Sequence, residues 1–202
     1  MDNPSAYEQG ADNDEQKKMI QYRKPAQLLQ ESLHFLPKGR ALDIAAGSGR
    51  NALYLAEHGF SVHAIERDQE ALQALQDAAR ERSLRQVTVE VMDLEGPSLP
   101  GKAFPMETYD VALIFFYLFR PLFPAFLRTL KPGGLLMYET FLLENYVRYN
   151  RPRRAAFCLA SQELLVLASG LHVLHYDEGE RIAGNGRPPT YTARLLARKN
   201  EA

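Results

Sequence analysis

Ala41-Leu-Asp-Ile-Ala-Ala-Gly-Ser-Gly-Arg-Asn-Ala-Leu-Tyr-Leu-Ala56 is followed by Val62-His-Ala-Ile-Glu66, and together these stretches decide the fold. They spell an apolar run, a glycine turn, a helix-compatible segment, a second apolar run and a terminal carboxylate. Gly47 and Gly49 carry no Cβ, so the backbone can turn tightly and approach a ligand where a first strand hands over to a helix. Glu66 lies 23 positions after Asp43, at the end of the next apolar run, where a carboxylate can accept both hydrogen bonds of a ribose diol. The order describes a pocket for a nucleoside-containing cofactor.

The neighbouring residues narrow the cofactor. Dinucleotide binders carry G-x-G-x-x-G, whose third glycine packs the helix on the strand. Here Gly47-Ser-Gly49 is followed by Arg50, Asn51 and Ala52, and Asp43 precedes the loop. This resembles motif I of the class I S-adenosylmethionine-dependent methyltransferases, D-x-G-x-G-x-G in full or relaxed form. Ala45 stands where the first glycine is common; its methyl group is tolerable if φ there is negative.

The resemblance continues in family order. Val87 to Val91 reads as a third strand, ended by Met92-Asp93-Leu94, which is similar to the acidic motif that receives the adenine amino group. Tyr109-Asp-Val-Ala-Leu-Ile-Phe-Phe116 resembles motif IV, and Leu130-Lys-Pro-Gly-Gly-Leu-Leu-Met-Tyr-Glu-Thr140 the turn and fifth strand. It covers about Pro25 to Lys199. Within the superfamily, Gly49 to Ala56 is most similar to the bacterial tellurite-resistance type of small methyltransferase. The resemblance implies a Rossmann-like α/β fold, S-adenosylmethionine as methyl donor and S-adenosylhomocysteine as product.

The 202 residues suit one domain, and 46% apolar residues supply one buried core. A net charge of −1 gives no global field to attract DNA or an anionic membrane. The single Cys158 cannot form an internal disulfide, and the acidic, polar start lacks the character of a secretory signal, so a cytoplasmic protein is expected. Residues 1–16 hold almost no large apolar side chains and are expected to be a disordered tail, with the methyltransferase domain over 17–202.

Pro25 opens a helix with Leu29, Leu33 and Leu36 on one face, Asp68 caps a helix burying Leu72, Leu75 and Ala79, and Pro121 starts one with Phe123, Phe126, Leu127 and Leu130 inward. Ser161 is expected to cap a helix stopping at Gly170. Alternating strands and helices predict a doubly wound, mostly parallel sheet. Leu171 to Asp177 and Thr190 to Arg198, separated by Gly184-Asn-Gly-Arg-Pro-Pro189, are expected to close it as an antiparallel hairpin.

Position at strand ends, with the resemblance, assigns Asp43, Ala45, Gly47, Gly49, Asn51, Glu66, Arg67, Asp93, Leu94 and Phe115 to the cofactor. Arg67 can lay its guanidinium plane on adenine or remain solvated, and Asp93 can instead begin a turn before Gly96-Pro97. Of Phe115 and Phe116, one lines the pocket and one packs in the core; Phe115 is taken as the lining residue. Tyr117, Arg120, Glu139, Tyr146 and Arg151 are placed on the acceptor side, in one cavity with the arginine-rich loop Glu144 to Arg154; Tyr117 and Glu139 are the candidate general bases. The histidines show no metal-ligand spacing, and no metal is expected. A small-molecule acceptor is the leading reading, with a monomer or homodimer and with no DNA or membrane partner. A protein or RNA acceptor, an NAD-dependent oxidoreductase and a non-catalytic binding domain remain as alternatives. Deleting residues 1–16 should leave the thermal midpoint unchanged, because the tail has little to bury; a large fall would show that it docks on the domain.

Overall fold

Strands that read as continuous apolar runs need cover on both faces, and the two central strands have it. Of β1 (Arg40–Ile44) every residue after the first is buried, and β4 (Tyr109–Phe115) is buried at all positions but Asp110. The computed structural model describes residues 24–96, 104–182 and 189–201, so the tail expected over 1–16 and residues 184–188 of the expected turn lie outside the described residues.

Five further strands complete one sheet: β2 (Ser61–Glu66), β3 (Val87–Val91), β5 (Leu130–Phe141), β6 (Leu171–Arg181) and β7 (Thr190–Lys199), in the order β3-β2-β1-β4-β5-β7-β6. The first five are parallel, and β7 runs antiparallel between β5 and β6. The expected hairpin is therefore present, longer at both strands than the sequence pattern suggests. The order reverses direction between β1 and β4, which opens a crevice beyond their carboxyl ends.

Helices cover both faces. On one, α1 (Gln27–Ser32), α2 (Arg50–Glu57) and α3 (Gln69–Glu81) bury Leu29, Leu53 and Leu75 against Val62, Leu113 and Met137. On the other, α4 (Phe123–Thr129) and α6 (Glu163–Leu167) bury Phe123, Phe126 and Leu164 against Ile44, Ile114 and Tyr138. Between them in sequence, α5 (Leu143–Tyr149) follows β5 directly. Alternation along β5 decides sides: Met137 and Tyr138, adjacent in sequence, enter opposite layers.

Local chemistry accounts for most helix ends. Asp68 Oδ1 accepts from the backbone N–H groups of Glu70 and Ala71, at 2.9 and 3.2 Å, and so caps α3. Ser161 does not cap α6. Its hydroxyl donates to Glu178, the position before the helix is Gln162 with φ 61°, and the helix stops at Leu167 rather than Gly170. The Pro121 helix begins as a short 3-10 turn, Arg120–Leu122, and Leu130 opens β5 instead of ending that helix.

Gly49 shows how tightly the layers meet. It precedes α2 with φ 79°, and a Cβ on it would stand 2.2 Å from Leu75 Cδ1 of α3. Its missing side chain thus makes room for helix packing rather than for a ligand. Gly49→Ala should cost about 2–4 kcal/mol, from left-handed strain plus overpacking, read as a lower urea midpoint; an unchanged midpoint would contradict this contact.

Candidate cofactor site

Four strands end at one cleft. Ala45 follows β1, Glu66 closes β2, Met92 follows β3 and Phe116 follows β4, and all four line a cavity of about 320 Å³. Arg67, Asp93, Leu94, Glu95, Tyr117, Leu118 and Phe157 complete the wall. Its position beyond the strand carboxyl ends, at the switch between β1 and β4, is where open α/β sheets hold ligands, and its size is that of a small-molecule site.

The loop after β1 is built from left-handed residues. Ala45, Gly47 and Gly49 have φ of 55°, 55° and 79°, so the condition under which Ala45 would be unstrained is not met. A non-glycine residue there costs roughly 1–2 kcal/mol. A Cβ on Gly47 would meet nothing within 4 Å, so this residue's bare backbone faces open space. Gly47 N–H donates to Glu66 Oε2 at 3.0 Å, while Oε1 accepts from Arg67 and Asp68 N–H at 2.8 and 3.1 Å. The carboxylate that the sequence assigns to a ribose thus already ties the ends of β1 and β2 together. A carboxylate oxygen accepts about two hydrogen bonds, so Oε2 retains capacity for one hydroxyl.

Asp93 serves its turn and the cleft together: Oδ1 accepts from Glu95 N–H at 3.1 Å, and the residue remains in the lining. Phe116, not Phe115, faces the cleft. Phe115 is 7% exposed within the core, whereas Phe116 is 43% exposed, has φ 59°, stacks 5.0 Å from Phe141 and lies under the Arg50 guanidinium. Asn51 is buried, and its Oδ1 accepts from Ala26 N–H at 2.9 Å, so it anchors α1 to α2 instead of facing the cleft.

The residues assigned to the acceptor side do not converge. Tyr117 lines the cleft near Asp93 and Glu95; its hydroxyl is buried without a partner among the described residues, and burial, then the charges of Glu95 and Asp93, drive its pKa far above the ordinary tyrosine range. Arg120 pairs with Glu163 and binds the carbonyls of Ala156 and Cys158. Glu139 sits elsewhere, accepting from Thr192 Oγ1 at 3.0 Å; burial raises its pKa, opposed by Thr192 and the charges of Arg194, Arg181 and Arg50. Tyr146 lies half-buried in α5, outside the cleft wall, and Arg151, Arg153 and Arg154 are all exposed. None of these three arginines lines the cleft, so the expected single cavity shared with the loop Glu144 to Arg154 is not formed by them. Met92, Glu95, Leu118 and Phe157 were not singled out by sequence; the first three directly adjoin residues that were, and Phe157 had no signal beyond being aromatic in a polar loop.

Among the described residues, no group of three or more His, Cys, Asp or Glu side chains is placed to hold a metal, and no helix is long and apolar enough to cross a membrane. Residues 41–134 match a family model described as a methyltransferase domain. The matched stretch runs from β1 into the turn of β5, and so includes the glycine loop and the strand ends that build the cleft. TehB from Haemophilus influenzae, of the tellurite-resistance type, has a similar structure: TM-score 0.70, 19% identity, 86% of this chain and 61% of TehB covered. This chain thus spans less than two thirds of TehB. A methyltransferase from Methanosarcina mazei gives a TM-score of 0.67 at 20% identity, covering 89% of this chain and 100% of that one. The [4+2]-cyclase SpnF gives 0.64 at 22%, covering 100% and 85%. No curated protein sequence matches significantly. At these identities the class I methyltransferase likeness is one of fold.

Asp43 lies beneath the loop, 2% exposed, with Ala52 N–H donating to its carboxyl and Oδ2 lacking a partner among the described residues. Burial raises its pKa from 3.8 to about 7, against the Arg50 charge and the Ala52 hydrogen bond and with help from Glu66. A raised carboxyl pKa means that the folded state holds a proton the unfolded state has released. Its contribution is therefore most favourable below the ordinary aspartate range and is lost as pH rises toward about 7. Asp43→Asn should flatten the decline of unfolding free energy between pH 4 and about 7 in urea titrations; parallel curves for the two proteins would rule out the buried charge.

Proposed function

We propose that this protein transfers a methyl group from S-adenosylmethionine to a small-molecule acceptor and releases S-adenosylhomocysteine. One observation carries the reading: the bare Gly47 loop, Glu66 and Asp93 meet at a single cleft beyond the strand ends. The residues fit the cofactor on structural grounds, since Gly47 faces open space and two buried oxygens, on Asp43 and Tyr117, lack partners among the described residues.

S-adenosylmethionine supplies an electrophilic methyl group on a sulfonium. Around it, Glu66 Oε2 would take a ribose hydroxyl, and Asp93 with the Leu94 backbone would hold the adenine edge. Arg67 would cover one flat face of the adenine, and Phe116 would wall the cleft beside the nucleoside. Tyr117, held protonated by burial, would donate a hydrogen bond instead of serving as a base. Asp43 would answer the positive charge of the cofactor's amino-acid end, because a nearby cation favours its ionised form.

Phe116 is also the wall shared with the acceptor side, through Phe141, Arg50 and the main chain of Glu139, whose carbonyl accepts from Phe116 N–H at 2.7 Å. There we assign Glu139 to accept the proton of a protic acceptor such as a thiol or amine. Burial makes its carboxylate more basic, and Oε2 forms no hydrogen bond among the described residues. A soft nucleophile suits the tellurite-resistance likeness, and the lone Cys158 suits a cytosolic home. A [4+2]-cyclase on the same fold keeps reaction type a matter for the site.

Calorimetric titration with S-adenosylhomocysteine, S-adenosylmethionine and NAD tests the reading. The first two should bind and NAD should not, and Gly47→Val should abolish binding while the protein stays folded, since its branched side chain would fill the ligand's space. Binding of NAD alone would establish the oxidoreductase alternative.

A further inference from the structure

Phe157 reaches the cleft from a loop far along the chain from the strand ends that build the rest of the wall. It belongs to a short 3-10 turn, Ala155–Phe157, whose residues and the preceding Arg154 are exposed, while Cys158 and Leu159 after it are buried. A single exposed turn has little apolar packing to fix an aromatic ring, so something else must hold it. The Arg154 guanidinium lies 5.9 Å from the ring, and the backbone on either side of the ring is held by Arg120. Its Nη1 donates to Ala156 O and its Nη2 to Cys158 O, each at 2.9 Å, so the guanidinium grips the carbonyls on both sides of Phe157. Glu163 completes the grip: Arg120 Nε and Nη2 donate to its two oxygens at 2.5 and 2.9 Å, and Ala160 N–H donates to it at 2.8 Å.

We propose that Arg120 is a positioning residue for nucleoside binding: clamped by Glu163, it fixes the backbone around Phe157 so that this ring forms one wall of the cofactor's nucleoside site. The inference rests on the reading of the cleft given above. Arg120 leaves the stretch that contributes Tyr117 and Leu118, so the clamp joins two walls of one cavity, Leu118 on its own segment and Phe157 on the other. The chemistry suits arginine. A planar fork can meet a carboxylate side-on and still present N–H groups to two carbonyls, whereas a lysine ammonium has three donors and no fixed plane. An aromatic ring at the wall suits a flat base, which stacks on such a surface without regard to its polar edge.

The test uses the full chain, with S-adenosylhomocysteine and adenosine as probes in calorimetric titration. Phe157→Ala should weaken both about tenfold, within the range of one lost base-stacking contact. Arg120→Lys and Glu163→Gln should each weaken both about fivefold by freeing the ring. The deciding measurement is the pair: Arg120→Lys combined with Phe157→Ala should bind no more than about twofold more weakly than Phe157→Ala alone, because the clamp has nothing left to position. Glu163→Gln combined with Phe157→Ala gives the same comparison if the arginine variant fails to fold. Multiplicative losses in the double variants, or unchanged binding by Phe157→Ala, overturn the proposal while leaving the cofactor reading intact. Failure of the unaltered protein to bind either probe overturns both.

Discussion

Glu66 holds the molecule's working end together. Its carboxylate takes hydrogen bonds from Gly47 at the tip of the loop after β1 and from Arg67 and Asp68 at the entry to α3. Those amides belong to neighbouring strand ends that would otherwise splay, since each points orphan donors toward the crevice. With the loop fixed, its left-handed turns set where α2 starts, and α2 in turn settles on Leu75 through the bare face of Gly49. The cleft, the cover of one sheet face and the anchoring of α1 through Asn51 all follow from this junction. Any hydroxyl that the carboxylate receives from a ligand is added to a structural duty it already performs.

Strain marks the same place. Ala45 and Phe116 both have left-handed φ and both line the cleft. Left-handed backbone in residues bearing a Cβ is uncommon, and in a bulky aromatic it is an outlier that surrounding contacts must enforce. For Phe116 those contacts are visible: its N–H is held by Glu139 O, and its ring lies between Phe141 and Arg50. The two residues follow β1 and β4, the strands on either side of the topological switch, so the strain sits where the sheet's two halves diverge.

What could be read from sequence was local. The glycine loop, the spacing to Glu66, the Asp68 cap and the alternation of strands with helices each depend on residues a few positions apart, or on a period that repeats. Phe115 and Phe116 could not be told apart, because one step in register reverses the face, and the strand ends between them. Arg120 was legible as a charged residue after a strand, but its partner Glu163 lies 43 positions away, and nothing in periodicity announces such a pairing. Asn51 shows the same blindness in reverse: a polar residue beside a glycine motif looks like ligand chemistry, yet it caps a donor on a helix 25 positions earlier. Tyr117 lies two positions past the end of β4 and Glu139 two before the end of β5, and side-chain alternation with the bend after β4 sends them to different surroundings.

The order of strands also bears on how the chain assembles. β6 touches the sheet only through β7, which follows it in sequence and lies between it and β5. During synthesis β6 therefore emerges before the strand it needs, and β5 keeps an unpaired edge until Thr190–Lys199 arrives. Such an edge is a template for pairing with another chain, and pairings that must wait for distant segments are the slow ones. The half of the sheet that carries the cleft, β3-β2-β1-β4, is fully encoded upstream and can form first. The cofactor end of the molecule can thus be in place while the antiparallel end is still exposed to misassembly.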